Sequence, residues 1–451
     1  MSEVHRVVSI ADHGARPDTL CTDAIQSAID TVAGGDGGTV FIPAGRWISG
    51  TLHLRSRLTL ELHPAAVLQA SRDLDDFPEQ PSRNFQDQKR FFIVADECEH
   101  VTISGGGTLD GSGPAFWDPP AEGRKWKRAK QPRMHPMLEF RRCRHLTLEN
   151  VRIINSPGWT VHPYCCDDVT IHRVRVENDL YGPNTDGFDI NGCRDVNISN
   201  CHLSCGDDAI ILKATRDARS TERVTISNCV VRSNCIGIGL GQETESDIRQ
   251  VAVSNCVMYE CNRMFTIGIW AGGTVEDVVV SNCVGDTHCE PWLDRPIQLE
   301  VKQHVGWDVP LGRIRNVQIS NFVATGVGRV LMTAQDGTML ENVVLRDVHL
   351  RFTDLEDAEQ LSPSDGATGS SQYANRNLEA RRQNAAMVVE NAENLVIDGF
   401  NVTWPAEPKD DVPYAGMWAR HIRGGLIDAP LLKPCGGERF VFEDVDVVNR
   451  S

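Results

Sequence analysis

Residues 196–201 read VNISNC and residues 224–229 read VTISNC. The same frame returns as VAVSNC at 251, VVVSNC at 278 and VQISNF at 317. Other copies are VTISGG at 101, LTLENV at 146, VTIHRV at 169, VVLRDV at 343 and LVIDGF at 395. From Val169 the first residues of successive copies advance by 27, 28, 27 and 27. Self-similarity at a period of this size marks a stacked repeat architecture. The first and third positions of each copy are apolar, and period-two alternation puts them on one face of a strand. No amphipathic helix separates the copies, so each repeat unit holds two or three short strands. The pattern predicts an all-β chain, a parallel β-helix of about ten coils whose windings stack ~4.8 Å apart.

Stacking brings equivalent residues into line. Asn200, Asn228, Asn255 and Asn282 then form a ladder at one corner, since Asn accepts left-handed backbone geometry and bonds neighbouring amides. Cys201, Cys229, Cys256 and Cys283 run beside it as small buried packing residues. A four-cysteine metal site is the alternative, but the chain has no C-x₂-C pair to build one. The period and the absent leucine consensus exclude a leucine-rich repeat.

The open end of such a coil needs a cover. Residues 22–33, TDAIQSAIDTVA, place Ile25, Ala28, Ile29 and Val32 on one helical face, with Thr22 or Asp23 as N-cap. This predicts a capping helix, followed by the first strands in GGTVFIPAGRWISGTLHLRSRLTLELHPAAVL. Two polar stretches, 111–135 and 352–385, read as loop insertions. Everything else fits one domain over 1–451.

The 451 residues are 41% hydrophobic and 24% charged, an ordinary composition for a soluble globular protein. Net charge is 45 − 62 = −17, which argues against nonspecific binding to nucleic acid or anionic membranes. No segment approaches the length of a membrane span, and the N-terminal MSEVHRVVSIADHG lacks the apolar run of a signal peptide. The expectation from these features is a cytoplasmic protein. No dinucleotide or P-loop fingerprint is present; GGDGG at 34–38 precedes a strand and reads as a turn. No cofactor is expected.

Chemistry concentrates between Gly182 and Lys213, GPNTDGFDINGCRDVNISNCHLSCGDDAIILK. Asp186 stands in Asn-Thr-Asp, and Asp207 and Asp208 follow about one winding later. Three stacked carboxylates repel, so at least one should keep its proton near neutral pH. An acid beside a base is what hydrolysis of a glycosidic bond requires. Neighbours on a regular strand face opposite ways, so Asp207 and Asp208 can share a cleft only if the backbone bends, which Gly206 would permit. Asp167, Asp168 and Asp195 read instead as corner residues.

NSPGWTVHPYCCDDVTIHRVRV, GPNTDGFDI and CGDDAIILK resemble glycoside hydrolase family 28, the polygalacturonase-like enzymes, and in particular their bacterial members. The likeness runs from ADHGARPDTLCTDAIQSAID through the VSNC repeats. It implies a right-handed parallel β-helix and hydrolysis with inversion at the anomeric carbon. It assigns Asp207 as general acid, with Asp208 and Asp186 positioning and deprotonating water. Asn184 and Lys213 match the neighbouring motif positions, and His162 lies in the first of the three motifs. These three are expected to bind substrate.

Two family motifs are missing. Where the family has Gly-His-Gly, this chain reads RSNCIGIGLGQE, which puts Cys235 at the histidine. Where the family's Arg-Ile-Lys binds a uronate carboxylate, CNRMFTIGIW places Thr266 and Gly268. Losing those cations forfeits a charge-assisted bond of about 1.5–3 kcal/mol, so a carboxylate must be held elsewhere or the sugar is neutral. Arg263 is one source of charge. Another is GRKWKRAKQPR, where six cations surround Trp126 with no acid among them; its plain alternative is a solvated basic loop. Gln242 and Glu243 should line the cleft, and Trp270, Trp117, Trp159 and Trp292 are candidate sugar platforms.

The resulting expectation is an exo-acting inverting hydrolase that trims pectin-derived oligosaccharides, its only expected partner being that substrate. Two alternatives share the fold: a uronate lyase or epimerase, and a carbohydrate-binding β-helix without catalysis. The motifs leave the sugar, its linkage and the oligomeric state open.

Overall fold

Alternation in the repeat becomes register in the computed structural model, which describes residues 6–81, 88–287, 294–303, 308–358, 378–408 and 412–450. The backbone gathers into two compact units, Met1–Ile210 with Asp217–Cys229, and Ile211–Arg216 with Val230–Ser451. Both are built from parallel strands, and the fold is a parallel β-helix.

In the first unit each winding supplies one strand to each of three ladders. Leu138–Arg141, Arg144–Glu149 and Arg152–Ile154 make one winding. Val161–Tyr164, Asp167–His172 and Arg175–Glu177 make the next, and Phe188–Asn191, Arg194–Ser199 and His202–Cys205 the one after. The repeats pair as their alignment predicts: Val101 with Leu146, Leu146 with Val169, Val169 with Val196, and Val196 with Val224. Their apolar side chains fill the interior, where Val101, Val169, Ile198 and Ile226 are fully buried. In the second unit Val251 pairs with Val278, Val278 with Val317, and Val317 with Val343. There single strands such as Val230–Thr244 and Thr274–Thr287 run on through a corner.

The corner asparagines behave as their chemistry requires. Asn200, Asn228, Asn255, Asn282 and Asn321 all have φ between 50° and 56°, the left-handed region that Asn tolerates better than other side chains. Asn282 donates to Asn255 (3.3 Å) and Asn321 to Asn282 (3.1 Å). A second ladder, not anticipated from the repeat, runs Asp277–Asn316–Asn342–Asn394 at 2.9–3.0 Å, again with positive φ. Its members lie within the strands, immediately before the six-residue motif that drew the alignment. Cys201, Cys229, Cys256 and Cys283 are buried thiols whose sulfurs lie 3.3–3.4 Å from the carbonyl of the serine two residues earlier. Every described cysteine is a free thiol.

The capping helix spans Thr22–Ala33 and buries Ile25, Ala28, Ile29 and Val32. Its cap differs from expectation. Cys21 occupies the N-cap and makes no capping bond, its thiol donating to the Ile48 carbonyl (3.2 Å), while the Thr22 hydroxyl accepts the Gly50 N–H (2.8 Å). A bond to the first strands thus replaces a bond within the helix. The 111–135 insertion is ordered by a short 3₁₀ turn, Gly113–Phe116, and an antiparallel pair, Trp117–Asp118 with Arg128–Ala129. Residues 359–377, the middle of the 352–385 insertion, lie outside the described residues. Leu378–Arg381 is helical, and the Gln383 and Arg381 carbonyls both accept from buried Arg329.

Replacing Asn282 by Ala should remove two ladder bonds and put a residue less tolerant of left-handed geometry at φ 55°. We expect a loss of about 1–3 kcal/mol, with Asn282→Gly losing less, read from urea unfolding midpoints.

Candidate active site

Two segments of the first unit carry the aspartates: a turn, 178–187, leading into the strand Phe188–Asn191, and a bend, 206–209, after the strand His202–Cys205. Backbone bonds fix their relation. The Thr160 N–H and hydroxyl both donate to the Asp186 carbonyl (3.1 and 2.6 Å), and the Gly187 N–H donates to the Asp208 carbonyl (2.8 Å). Asp208 therefore lies one winding after Asp186, at the ~4.8 Å spacing of the ladder.

The charges of the aspartate side chains are all felt by one thiol. Cys205 is completely buried; burial drives its pKa well up, and the charges of Asp186, Asp189, Asp207 and Asp208 drive it further. Asp189 is an addition that the sequence reading missed. It stands inside the quoted GFDI, and alternation from Asp186 would have put it on the opposite face of a regular strand. Asp186 precedes the strand, so the alternation starts only at Phe188. Asp186 and Asp208 are each only 3% exposed, while Asp207 is half-buried.

Asp207 and Asp208 escape strand alternation because they lie in the bend between two strands. Gly206 permits this in a different way from the one anticipated. Its φ is not in the left-handed region; a β-carbon there would instead stand 2.4 Å from Thr185 Oγ1 and 2.6 Å from the Asp179 carbonyl oxygen. The Gly206 N–H donates to Thr185 Oγ1 (3.2 Å), so the two aspartate segments touch at this glycine. Asp207 Oδ1 accepts the Asp208 N–H (3.1 Å), which orients the more exposed carboxylate.

Asn184 adopts φ 52°, and its Oδ1 accepts from Arg133 Nη2 (3.0 Å). His162 is entirely buried, with Nδ1 2.7 Å from Glu139 Oε2 and Nε2 3.4 Å from Asn191 Nδ2. The amide donor puts the ring proton on Nδ1, where it is donated to Glu139. His162 thus stands behind the site, packed edge-on against Trp159 (5.2 Å).

The basic stretch makes contacts of its own, although Arg124, Lys125, Arg128 and Lys130 remain exposed. Lys127 pairs with Asp179 and lies 5.4 Å over the Trp117 ring, Arg128 donates to the Pro119 carbonyl, and Lys130 to the Ala115 carbonyl. Trp126 meets Tyr181 edge-on at 6.0 Å, with Lys125 Nζ 6.0 Å from the same Tyr181 ring, so this aromatic group flanks the Asn184 turn. Trp117 and Trp159 are core residues, and Trp292 lies outside the described residues.

The remaining candidates belong to the second unit. Lys213 is 2% exposed and bonds Glu243 Oε2 at 3.0 Å. Arg263 donates to Cys235 Sγ (3.0 Å) and to Asn262 Oδ1 (3.2 Å), so a cation occupies the neighbourhood where the family's histidine is missing. Thr266 and Gly268 pair in register with Gly239 and Gly241, and Gln242 pairs with Ile269. Trp270 carries Lys302 5.0 Å over its ring.

The family model described as "Glycosyl hydrolases family 28" matches residues 40–286. The chain belongs to that family. A probable polygalacturonase of Vitis vinifera is 29% identical over 266 residues, covering 54% of this chain and 53% of the relative. The endo-polygalacturonase of Pectobacterium carotovorum subsp. carotovorum is 28% identical over 247 residues, covering 51% and 59%. The chain thus spans between half and two thirds of the length of these curated relatives. In three dimensions the family 28 exopolygalacturonase of Yersinia enterocolitica matches with a TM-score of 0.71 at 18% identity, covering 94% of this chain and 79% of that one. At that identity the match speaks for the fold.

A methyl group at Gly206 should separate the two aspartate segments. We expect Gly206→Ala to cost about 1–3 kcal/mol of stability by overpacking, measured by urea denaturation.

Proposed function

We propose that this protein is an inverting glycoside hydrolase of pectin-derived, uronate-containing oligosaccharides. The observation that carries the reading is geometric: Asp207 and Asp208 bring carboxylate oxygens within 4.8 Å of each other, and the Gly187 N–H to Asp208 carbonyl bond sets Asp186 one winding away. Inverting hydrolysis requires one carboxyl that brings a proton and a carboxylate that takes one up. Asp207, the most exposed of the catalytic three, donates that proton to the leaving glycosidic oxygen as the bond to the anomeric carbon breaks. Water attacks that carbon from the opposite face, and the Asp186 and Asp208 carboxylates take up its proton. One turnover leaves Asp207 ionised and a proton on the other pair; exchange with solvent restores the start.

Asn184 and the Trp126–Tyr181 group would bind sugar on the first unit. Lys213, Gln242, Glu243, Arg263 and Trp270 are the corresponding proposals on the second. The family and its polygalacturonase relatives support a pectic substrate, and cations such as Arg263 suit an acidic sugar.

Asp207→Asn should lower kcat by about 10²–10⁴-fold on a defined oligogalacturonate, with folding unchanged. NMR of the first product formed by the wild type should show the inverted anomer. A retained anomer, an unsaturated product absorbing in the ultraviolet, or full turnover by Asp207→Asn would each overturn the mechanism. Release of monosaccharide alone marks exo action, and a ladder of fragments marks endo action.

A further inference from the structure

Arg133 ends the basic stretch of the 111–135 insertion, and its guanidinium is buried within the first unit, the residue being 7% exposed. Nη1 donates to the carbonyls of Pro157 (2.8 Å) and Pro183 (3.0 Å), while Nη2 donates to Asn184 Oδ1 (3.0 Å). One planar fork thus ties the Asn155–Gly158 corner of one winding to the Asn184 turn of the next. Lysine, with a single compact ammonium, could not span these acceptors in the same geometry. Asp186 lies two residues beyond Asn184, and its charge supports the protonated guanidinium against burial, which pulls Arg133 down to about 10. Arg133 therefore stays cationic at neutral pH.

Asp189, Asp207 and Asp208 share the Cys205 neighbourhood with Asp186. Arg133 and His162 both act on His135. Desolvation, with Arg133 beside it, pushes the His135 imidazole well down, and its Nδ1 accepts the Trp159 N–H (2.9 Å). Arg133 thus brings a cation to Asp186, with His135 held neutral beside it.

We propose that Arg133 is a positioning residue for the hydrolytic site: it fixes the Asn184 carboxamide and keeps Asp186 ionised to serve as base. The proposal rests on the hydrolase reading for its kinetic consequences, but its electrostatic part stands apart from any substrate. A carboxylate beside a guanidinium ionises at lower pH than one without it. Removing the cation raises that pKa, so the base form requires a higher pH and the acidic limb of activity moves up.

The test compares wild type, Arg133→Gln and Arg133→Lys. Arg133→Gln should lower kcat about tenfold or more on an oligogalacturonate and move the acidic limb of kcat/KM up by about one unit or more. Arg133→Lys keeps the charge and loses the fork. Its limb should stay in place while kcat falls by a smaller factor. In parallel, carbon-13 NMR of aspartate-labelled protein should show one carboxyl titrating about one unit or more higher in Arg133→Gln. Superimposable titrations in folded Arg133→Gln and wild type would overturn the proposal, as would an unmoved acidic limb. If Arg133→Gln does not fold, the lysine variant decides: wild-type kcat, or a limb moved upward, overturns the proposal. Absence of wild-type turnover on every pectic oligosaccharide would instead defeat the hydrolase reading, and the carboxyl titration would still judge Arg133.

Discussion

The parallel backbone ladder is the constraint on which the rest depends. Each winding bonds to the next through strand amides and carbonyls, at a spacing set by the hydrogen bond itself. A repeat of 27 or 28 residues in sequence therefore becomes a column of side chains in space. Valines fall into the interior, asparagines into the corner and thiols beside them, each because register leaves no other neighbour. An insertion that preserves the register, such as 111–135, leaves the columns intact.

The same constraint makes a cluster of carboxylates possible. In a flexible loop, mutual repulsion would drive Asp186, Asp207 and Asp208 apart and into water. Here the Gly187-to-Asp208 and Thr160-to-Asp186 bonds hold their backbones one winding apart whatever the side chains prefer. The cost is met locally by specific contacts. Thr185 accepts the Gly206 N–H, Asp207 accepts its neighbour's N–H, and Arg133 brings a buried guanidinium to the Asn184 turn. Glycines at 187 and 206 keep the segments close, since a β-carbon at Gly187 would stand 2.3 Å from the Ala209 carbonyl oxygen.

Family membership and geometry answer different questions. Fold likeness at 18% identity is compatible with more than one activity, since function lies in the site and not in the scaffold. The aspartates match the family motifs, while Cys235, Thr266 and Gly268 depart from them. In the second unit, Arg263 lies against Cys235 and Lys302 over Trp270, so positive charge returns on residues outside the usual motif. Specificity within the family can shift through such replacements while the carboxylate machinery stays fixed.

The chain's own order of residues determined the repeat, the parallel coil, the helix over 22–33 and the pairing of windings, because each follows from short-range periodicity. It also marked Asp186, Asp207 and Asp208, whose spacing matches one winding. What it left undecided depends on contacts between distant segments. Thr22 serves Gly50 and not its own helix, Asp189 joins the carboxylates because the strand starts at Phe188, and His162 is buried behind Glu139. Arg133 was one cation among six in a basic stretch; only the folded insertion, carrying it against Pro157, Pro183 and Asn184, distinguished it from the others. Local pattern fixes which face a residue takes, but three-dimensional packing alone decides what it meets there.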